Sequence, residues 1–292
     1  MSLPGRTKAY FAACLFVSTI PLGFIQANDK VTASDCRVPN TRLAKSYGAQ
    51  LYTIRVALGQ DFEGSLCRIA QIGYREVEFA GLYGRDPSDV RALLGRYRLD
   101  AVATHVDWRH LRDNPEMAIR DAKSLGAKYL VLAWLPSEER QTIEQWRWWV
   151  AQLNKVGEAA AAEDVVLLYH AHDFEYRAID GVRPIDLLLE QLDPRFVNFE
   201  MDVYWTVKGG GDPIALLRQY PGRFPLVHVK DMQRTSTDMA DVGDGRIDFP
   251  FIFASAGKRD FRHKFVERDE ASEPFETLRR SIEYIQSIER KP

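Results

Sequence analysis

Six stretches of this chain close an apolar run on residues able to move a proton or hold a cation. They are Glu76-Val77-Glu78-Phe79, Thr104-His105, Tyr169-His170-Ala171-His172, Glu200-Met201-Asp202, His228-Val229-Lys230-Asp231 and Val266-Glu267-Arg268-Asp269. Four of the chain's six histidines fall within them. Imidazoles and carboxylates mixed in this way, with no convergent set of cysteines, suit a divalent ion of the Mn²⁺, Co²⁺ or Zn²⁺ type held through nitrogen and oxygen. Such a shell leaves positions open for substrate. Each residue alone has an ordinary reading: an Asp that ends a strand commonly caps the next helix, and a lone His is usually a satisfied hydrogen-bond partner. The recurrence over four successive runs points to a shared site.

Side chains spread over 190 positions, from Glu78 to Glu267, meet only if the backbone gathers the run ends. From Gln50 onward the chain alternates eight apolar runs with eight amphipathic stretches. The strand expectations are 51–56, 76–79, 100–105, 128–133, 165–170, 197–202, 226–230 and 261–267. The helix expectations are 61–71, 87–96, 115–125, 142–162, 184–191, 213–220, 249–256 and 274–288. Asn114-Pro115 and Asp212-Pro213 put a capping side chain before a proline, whose fixed φ suits a first helical turn. Val165-Val166-Leu167-Leu168 and Tyr129-Leu130-Val131-Leu132 are continuous hydrophobics, as in a parallel sheet covered by helices. Eight βα units in about 240 residues predict an α/β fold of the (β/α)8 TIM-barrel type, in which strand ends open into a mouth lined by the βα loops. No GxGxxG turn or Walker-type lysine loop competes with this reading.

The chain has 292 residues, 46% hydrophobic and 27% charged, with 39 Lys and Arg against 41 Asp and Glu. A formal charge of -2 supplies no electrostatic reason to bind nucleic acid or an anionic membrane. Arg6 and Lys8 precede an apolar run over 9–25, with small residues to Ala27 and a polar turn at Asn28-Asp29-Lys30. This is the layout of a signal peptide over 1–27, followed by a polar lead-in over 28–49 and the barrel over 50–292. Export to the periplasm, with no stable membrane insertion after cleavage near Ala27, is the expectation. Cys14 would leave with the signal. Cys36 and Cys67 would remain in an oxidising compartment, either bridged or as two unpaired thiols.

The motifs Tyr169 to Glu175, Met201-Asp202-Val203-Tyr204-Trp205, Gly209-Gly210-Gly211-Asp212-Pro213, His228-Val229-Lys230-Asp231, Val242-Gly243-Asp244-Gly245 and Phe265 to Glu270 resemble the sugar phosphate isomerase/epimerase family with its xylose-isomerase-like barrel. The resemblance runs from Leu51 to the C-terminus. It implies one divalent metal held by a carboxylate from the fifth strand, Asp from the sixth, His from the seventh and Glu from the eighth. Asp202, His228 and Glu267 carry over directly. At the fifth strand the family has Glu and this chain has His170, so either His170 is the ligand or Glu175 reaches back from the loop.

The resemblance implies proton abstraction beside a carbonyl of a sugar or keto-sugar. Glu267, His170 and Lys230 are the expected catalytic residues, and His105, His172, Trp205 and Glu78 the expected substrate contacts. An imidazole opposite a carboxylate serves isomerisation or epimerisation, the leading expectation, and equally β-elimination from a 3-keto-glycoside. Trp108 and Trp134 are further stacking candidates. Trp146, Trp148 and Trp149 cannot all face one side of a helix, so at least one belongs to the core. The apurinic endonucleases share the barrel but use more ligands, and six histidines with near-neutral charge disfavour them. A non-catalytic sugar-binding protein is the remaining alternative.

Overall fold

The computed structural model describes residues 36–38 and 47–289. The expected signal peptide, Cys14 and most of the lead-in lie outside the described residues. Eight parallel strands close a barrel in the order β1 (Tyr47–Gln50), β10 (His263–Val266), β7 (Leu226–Val229), β6 (Val197–Asp202), β5 (Val166–His170), β4 (Tyr129–Leu132), β3 (Asp100–Val106) and β2 (Glu76–Phe79). The helices that intervene include α1 (Arg55–Gln60), α2 (Phe62–Ile72), α3 (Pro87–Tyr97), α4 (Trp108–Asp113), α5 (Pro115–Leu125), α6 (Ile143–Ala162), α7 (Pro184–Gln191), α8 (Val203–Lys208), α9 (Pro213–Gln219), α10 (Phe249–Ser255) and α11 (Pro274–Glu289). Among the described residues, no helix is long and apolar enough to cross a membrane.

Local chemistry accounts for the helix starts. Asp86 accepts from Ser88 N ahead of Pro87, Asp212 accepts from Ile214 N and Ala215 N ahead of Pro213, and Thr142 and Gln145 form a capping box. Asn114 departs from expectation: Pro115 opens α5, but the Asn114 side chain makes no cap bond. On α6, Trp146 and Trp149 are buried while Trp148 faces outward, as their spacing requires.

The first strand departs further. Residues 51–56 are not extended; β1 lies just upstream, and Leu51–Ile54 form a 3₁₀ turn leading into α1. The Gln50 side chain accepts from Tyr52 N at 2.7 Å and closes that turn at once. Leu51, Ile54 and Leu58 are all buried, a spacing of three and four that is helical, while Val56 is exposed. The strand itself uses small residues because space is short: a Cβ on Gly48 would stand 2.5 Å from the Phe265 ring.

Ala103, Tyr129, Val131, Leu168, Leu226 and Phe265 fill the lower barrel as a dry plug. The polar strand ends sit above it. After β7 the chain forms a small antiparallel ribbon, β8 (Asp231–Met232) with β9 (Met239–Ala240). The Asp231 carboxylate accepts from the backbone N–H groups of Met232, Gly243, Gly245 and Ile247 and so gathers that loop. Gly245 is required there, since a Cβ would meet Asp231 Oδ1 at 2.2 Å. Cys36 and Cys67 are bridged, with Cα atoms 5.9 Å apart, tying the segment before the barrel to α2.

Candidate active site

Alternation along each strand aims every second side chain into the barrel, and the strand ends therefore deliver their polar groups to one place. Asp202 ends β6 and serves two purposes. Its Oδ1 caps α8 by accepting from Trp205 N at 2.9 Å, while its buried Oδ2 has no hydrogen-bond partner. His228 on β7 is fully enclosed, with Nε2 2.6 Å from Glu78 Oε2 and 3.1 Å from Glu200 Oε2. With Nε2 donating to Glu78, Nδ1 faces the other way, toward Glu267 Oε2 at 2.8 Å and Asp202 Oδ2 at 3.7 Å; burial would lower the ring's pKa, but Glu200, Glu78 and Glu267 hold it well above its ordinary value. His170, the last residue of β5, pairs Nδ1 with Glu200 Oε2 at 3.0 Å and turns Nε2 toward Asp202 Oδ2 at 3.7 Å.

His228 Nδ1, Asp202 Oδ2 and Glu267 Oε2 are thus buried polar atoms that meet without a well-aligned hydrogen bond. Ligand atoms of His170, Asp202 and His228 lie within 4.8 Å of one another. Carboxylates converging in a buried place are costly unless a cation lies among them. A donor set of two imidazoles and two carboxylates fits one divalent ion of the nitrogen- and oxygen-binding kind. The positive charge that stands there is Lys230, whose Nζ is 3.1 Å from Asp202 Oδ2, 2.8 Å from Glu267 Oε2 and 2.8 Å from Asp269 Oδ1. Asp231, a conceivable partner for Lys230, is instead spent on its own loop.

The electrostatics follow from this crowding. Burial would lower the Lys230 pKa, but Asp202, Glu267 and Asp269 hold it well above its ordinary value. Burial opposes ionisation of Glu267 also, and Lys230 and His228 override it, so that carboxyl is lowered. His170 is lowered by burial and by His228, which keeps it neutral. Burial raises Asp269 to about 6, against Lys230 and with help from Glu267. His105, 3.2 Å from Glu78 Oε1, is raised to about 9 because Glu78 and Glu200 outweigh burial.

Above these residues opens a cavity of about 480 Å³. His170, Lys230, Glu267 and Asp269 reach it from below, and His105, His172 and Trp205 form walls. Two expected positions fall elsewhere. Glu175 does not join the convergence: its Oε1 accepts from Tyr169 Oη at 2.6 Å and its Oε2 from His172 N at 2.8 Å. Glu78 does not line the cavity; it is completely buried beneath His228 and His105, where it orients both rings. Trp108 also differs: it is buried edge-on against Trp149 under the guanidinium groups of Arg109 and Arg112, and it lines the neighbouring cavity rather than this one. Trp134 is half exposed at the mouth.

Sequence reasoning assigned no role to Glu200, Asp269, Gln50 or Tyr52. The signal for Glu200 was present, because it precedes Asp202 by two and must share its face of β6. Gln50 and Tyr52 were hidden by the misplaced first strand.

Residues 66–288 match the family model described as the xylose isomerase-like TIM barrel. An inosose dehydratase from Geobacillus kaustophilus is 26% identical over 266 residues, covering 76% of this chain and 86% of that protein. A solved sugar phosphate isomerase/epimerase from Parabacteroides distasonis superposes with a TM-score of 0.71 at 25% identity, covering 86% of this chain and 96% of the other. The IOLI protein, solved with a bound zinc atom, has the same fold at a TM-score of 0.62 and 16% identity, over 84% of this chain and 96% of its own. The chain therefore belongs to the xylose isomerase-like TIM barrel family.

Proposed function

We propose that the protein is a metal-assisted lyase acting on a cyclic keto-polyol or keto-sugar, removing the proton beside the ketone and expelling an oxygen leaving group from the next carbon. The observation that carries this reading is the convergence of buried polar atoms from His170, Asp202, His228 and Glu267, with Lys230 as the cation among them, beneath a cavity. The dehydratase relatives support elimination over the isomerisation expected from sequence. So does the asymmetry of the site, where an imidazole rather than a second glutamate stands at the fifth strand.

His170, Asp202, His228 and Glu267 would hold the ion, which when bound polarises the ketone and stabilises negative charge growing on its oxygen. Glu267, kept anionic by its neighbours, takes the proton from carbon. Lys230 holds Glu267 and Asp269 in place and presents a positive charge to the reacting region. Asp269 exchanges its proton near neutrality and supplies it to the departing oxygen. The carbon–hydrogen and carbon–oxygen bonds break, a carbon–carbon double bond forms, and the product is an enone. His105, His172 and Trp205 orient the ring. The Cys36–Cys67 bridge and the N-terminal apolar run support an exported, periplasmic location.

The test is incubation of the Mn²⁺-, Co²⁺- or Zn²⁺-loaded protein in D₂O with an inosose, a 3-keto-glycoside and a free ketose. An ultraviolet enone band with release of water or alcohol is expected. Deuterium exchange without an enone would move the reading to an isomerase or epimerase, and neither signal on any substrate would sink it.

A further inference from the structure

A second cavity, of about 560 Å³, adjoins the reaction cavity and shares Tyr52, His105, Ala133 and Trp134 with it. It runs away from the charged side of the mouth, between the turn after β2, where Leu82 stands, and the packed helices α4 and α5. Its chemistry differs from its neighbour's. Leu82, Leu125 and Leu130 give it an apolar floor, and Asp107, His110 and Asp121 give it a polar margin. It holds His105 from the reactive cluster but neither Lys230 nor Glu267. Such a cavity is equipped to bind a ring and not to transform it.

Each cavity alone falls in the range of roughly 300–1,000 Å³ usual for a small-ligand site. At their junction Tyr52 and Trp134 are 40% and 49% exposed, the Tyr52 ring carrying the Arg55 guanidinium on one face and Trp134 standing open to the mouth. Flat aromatic faces with polar groups at the rim suit rings that carry apolar C–H faces and hydroxyl edges.

We propose that the substrate is a two-ring glycoside: the keto ring occupies the cavity above Lys230 and Glu267, and the ring it sheds occupies the second cavity, across Trp134. This rests on the lyase reading above and narrows its substrate class. A ketone two carbons from the glycosidic carbon places that carbon β to the carbonyl, so the leaving oxygen is the one that joins the rings. Glu267 takes the proton from the intervening carbon, the glycosidic carbon–oxygen bond breaks as the carbon–carbon double bond forms, and the departing oxygen gains one proton to leave as the alcohol of the freed ring, balancing the proton removed from carbon. No oxidant or further reactant is needed.

Binding separates this inference from the reading beneath it. Methyl and phenyl 3-keto-glucosides of both anomers, and the 3-keto forms of cellobiose and maltose, are titrated calorimetrically into the metal-loaded wild type, Leu82→Trp and Trp134→Ala. Two-ring ligands of the preferred anomer are expected to bind at least about tenfold tighter than the methyl glucoside, a ratio one well-packed aromatic contact can supply. Leu82→Trp fills only the second cavity and should erase that preference while methyl glucoside binding holds. Trp134→Ala, at a half-exposed position, should weaken the two-ring ligands most. Equal affinity for one-ring and two-ring ligands, or a preference untouched in both variants, overturns the second ring site and leaves the lyase reading standing. Failure of every ligand to bind overturns the lyase reading and this inference with it.

Discussion

Glu76 and Glu78 stand two residues apart on β2, both turned into the barrel, and each meets an imidazole. At the lower rim Glu76 Oε2 lies 2.8 Å from His263 Nδ1, with side chains 19% and 27% exposed. At the upper end Glu78 Oε2 lies 2.6 Å from His228 Nε2, and both side chains are completely enclosed. The dry plug around Leu168, Leu226 and Phe265 separates the two ends. The lower pair is a contact that water screens. The upper pair is the base of a stack in which Glu200, Asp202 and Glu267 crowd the same ring under burial. A histidine paired with a glutamate therefore marks nothing by itself; enclosure and the arrival of third and fourth donors turn the pair into a site.

The largest effects belong at the upper end. Glu267→Gln should lower the rate of enone formation by at least about 10²–10⁴-fold, since it removes the proton acceptor with little change in volume. Near-normal turnover would contradict the role given to Glu267. Asp202→Ala should strip the purified protein of most of its divalent metal, read by elemental analysis. It should also cost stability through the lost α8 cap, on the order of 0.5–2 kcal/mol. Full metal content in that variant would remove Asp202 from the ligand set.

One layer lower, Glu78→Gln keeps an acceptor for His228 but withdraws the charge that fixes its tautomer. Metal affinity, measured by chelator competition, should weaken by about 10–100-fold. Glu76→Gln is the matched control and should leave that affinity unchanged. Equal losses in the two variants would mean that the ends of the barrel do not differ in the way their burial indicates.

Glu175 tests burial without metal. Its carboxyl is pushed up to about 7 from an ordinary 4.5, by burial outweighing the bonds from Tyr169 and His172. A folded-state pKa above the unfolded value means stability present below about pH 4.5 and lost as pH rises through about 7. The unfolding free energy of wild type minus that of Glu175→Gln should therefore fall across this window, by on the order of 3 kcal/mol or less. A difference that is flat with pH would show that Glu175 ionises freely in the folded protein.

The barrel was legible because buried parallel strands leave unmistakable apolar runs, and strands 76–79 and 197–202 and helices 115–125 and 184–191 fall where the pattern places them. The first strand was not, because Tyr47-Gly48-Ala49-Gln50 is short and selected for closeness to Phe265 rather than for hydrophobicity. At the site, periodicity places Asp202, His228 and Glu267 at strand ends, but it cannot give depth. Glu78 and Glu267 look alike in sequence, and only the packing of the mouth shows one buried under His228 and the other at the cavity. Glu175 was ambiguous for a similar reason: a 3₁₀ turn over Phe174–Tyr176 folds its carboxylate back onto Tyr169, a local choice no spacing rule announces.

The smallest effect should come from His263→Gln at the lower rim. The contact with Glu76 is partly solvated, and ion pairs in such places are worth about 0–1 kcal/mol. The His263 ring also stands edge-on to Tyr129 at 5.9 Å, and the glutamine loses that contact, so the unfolding free energy should drop slightly rather than stay fixed. Metal content and turnover should not move, because the apolar plug isolates this rim from the mouth. A loss of metal in this variant would show the two ends to be coupled through the plug. The difference between them would then be one of degree, set by water, and not a division between scaffold and site.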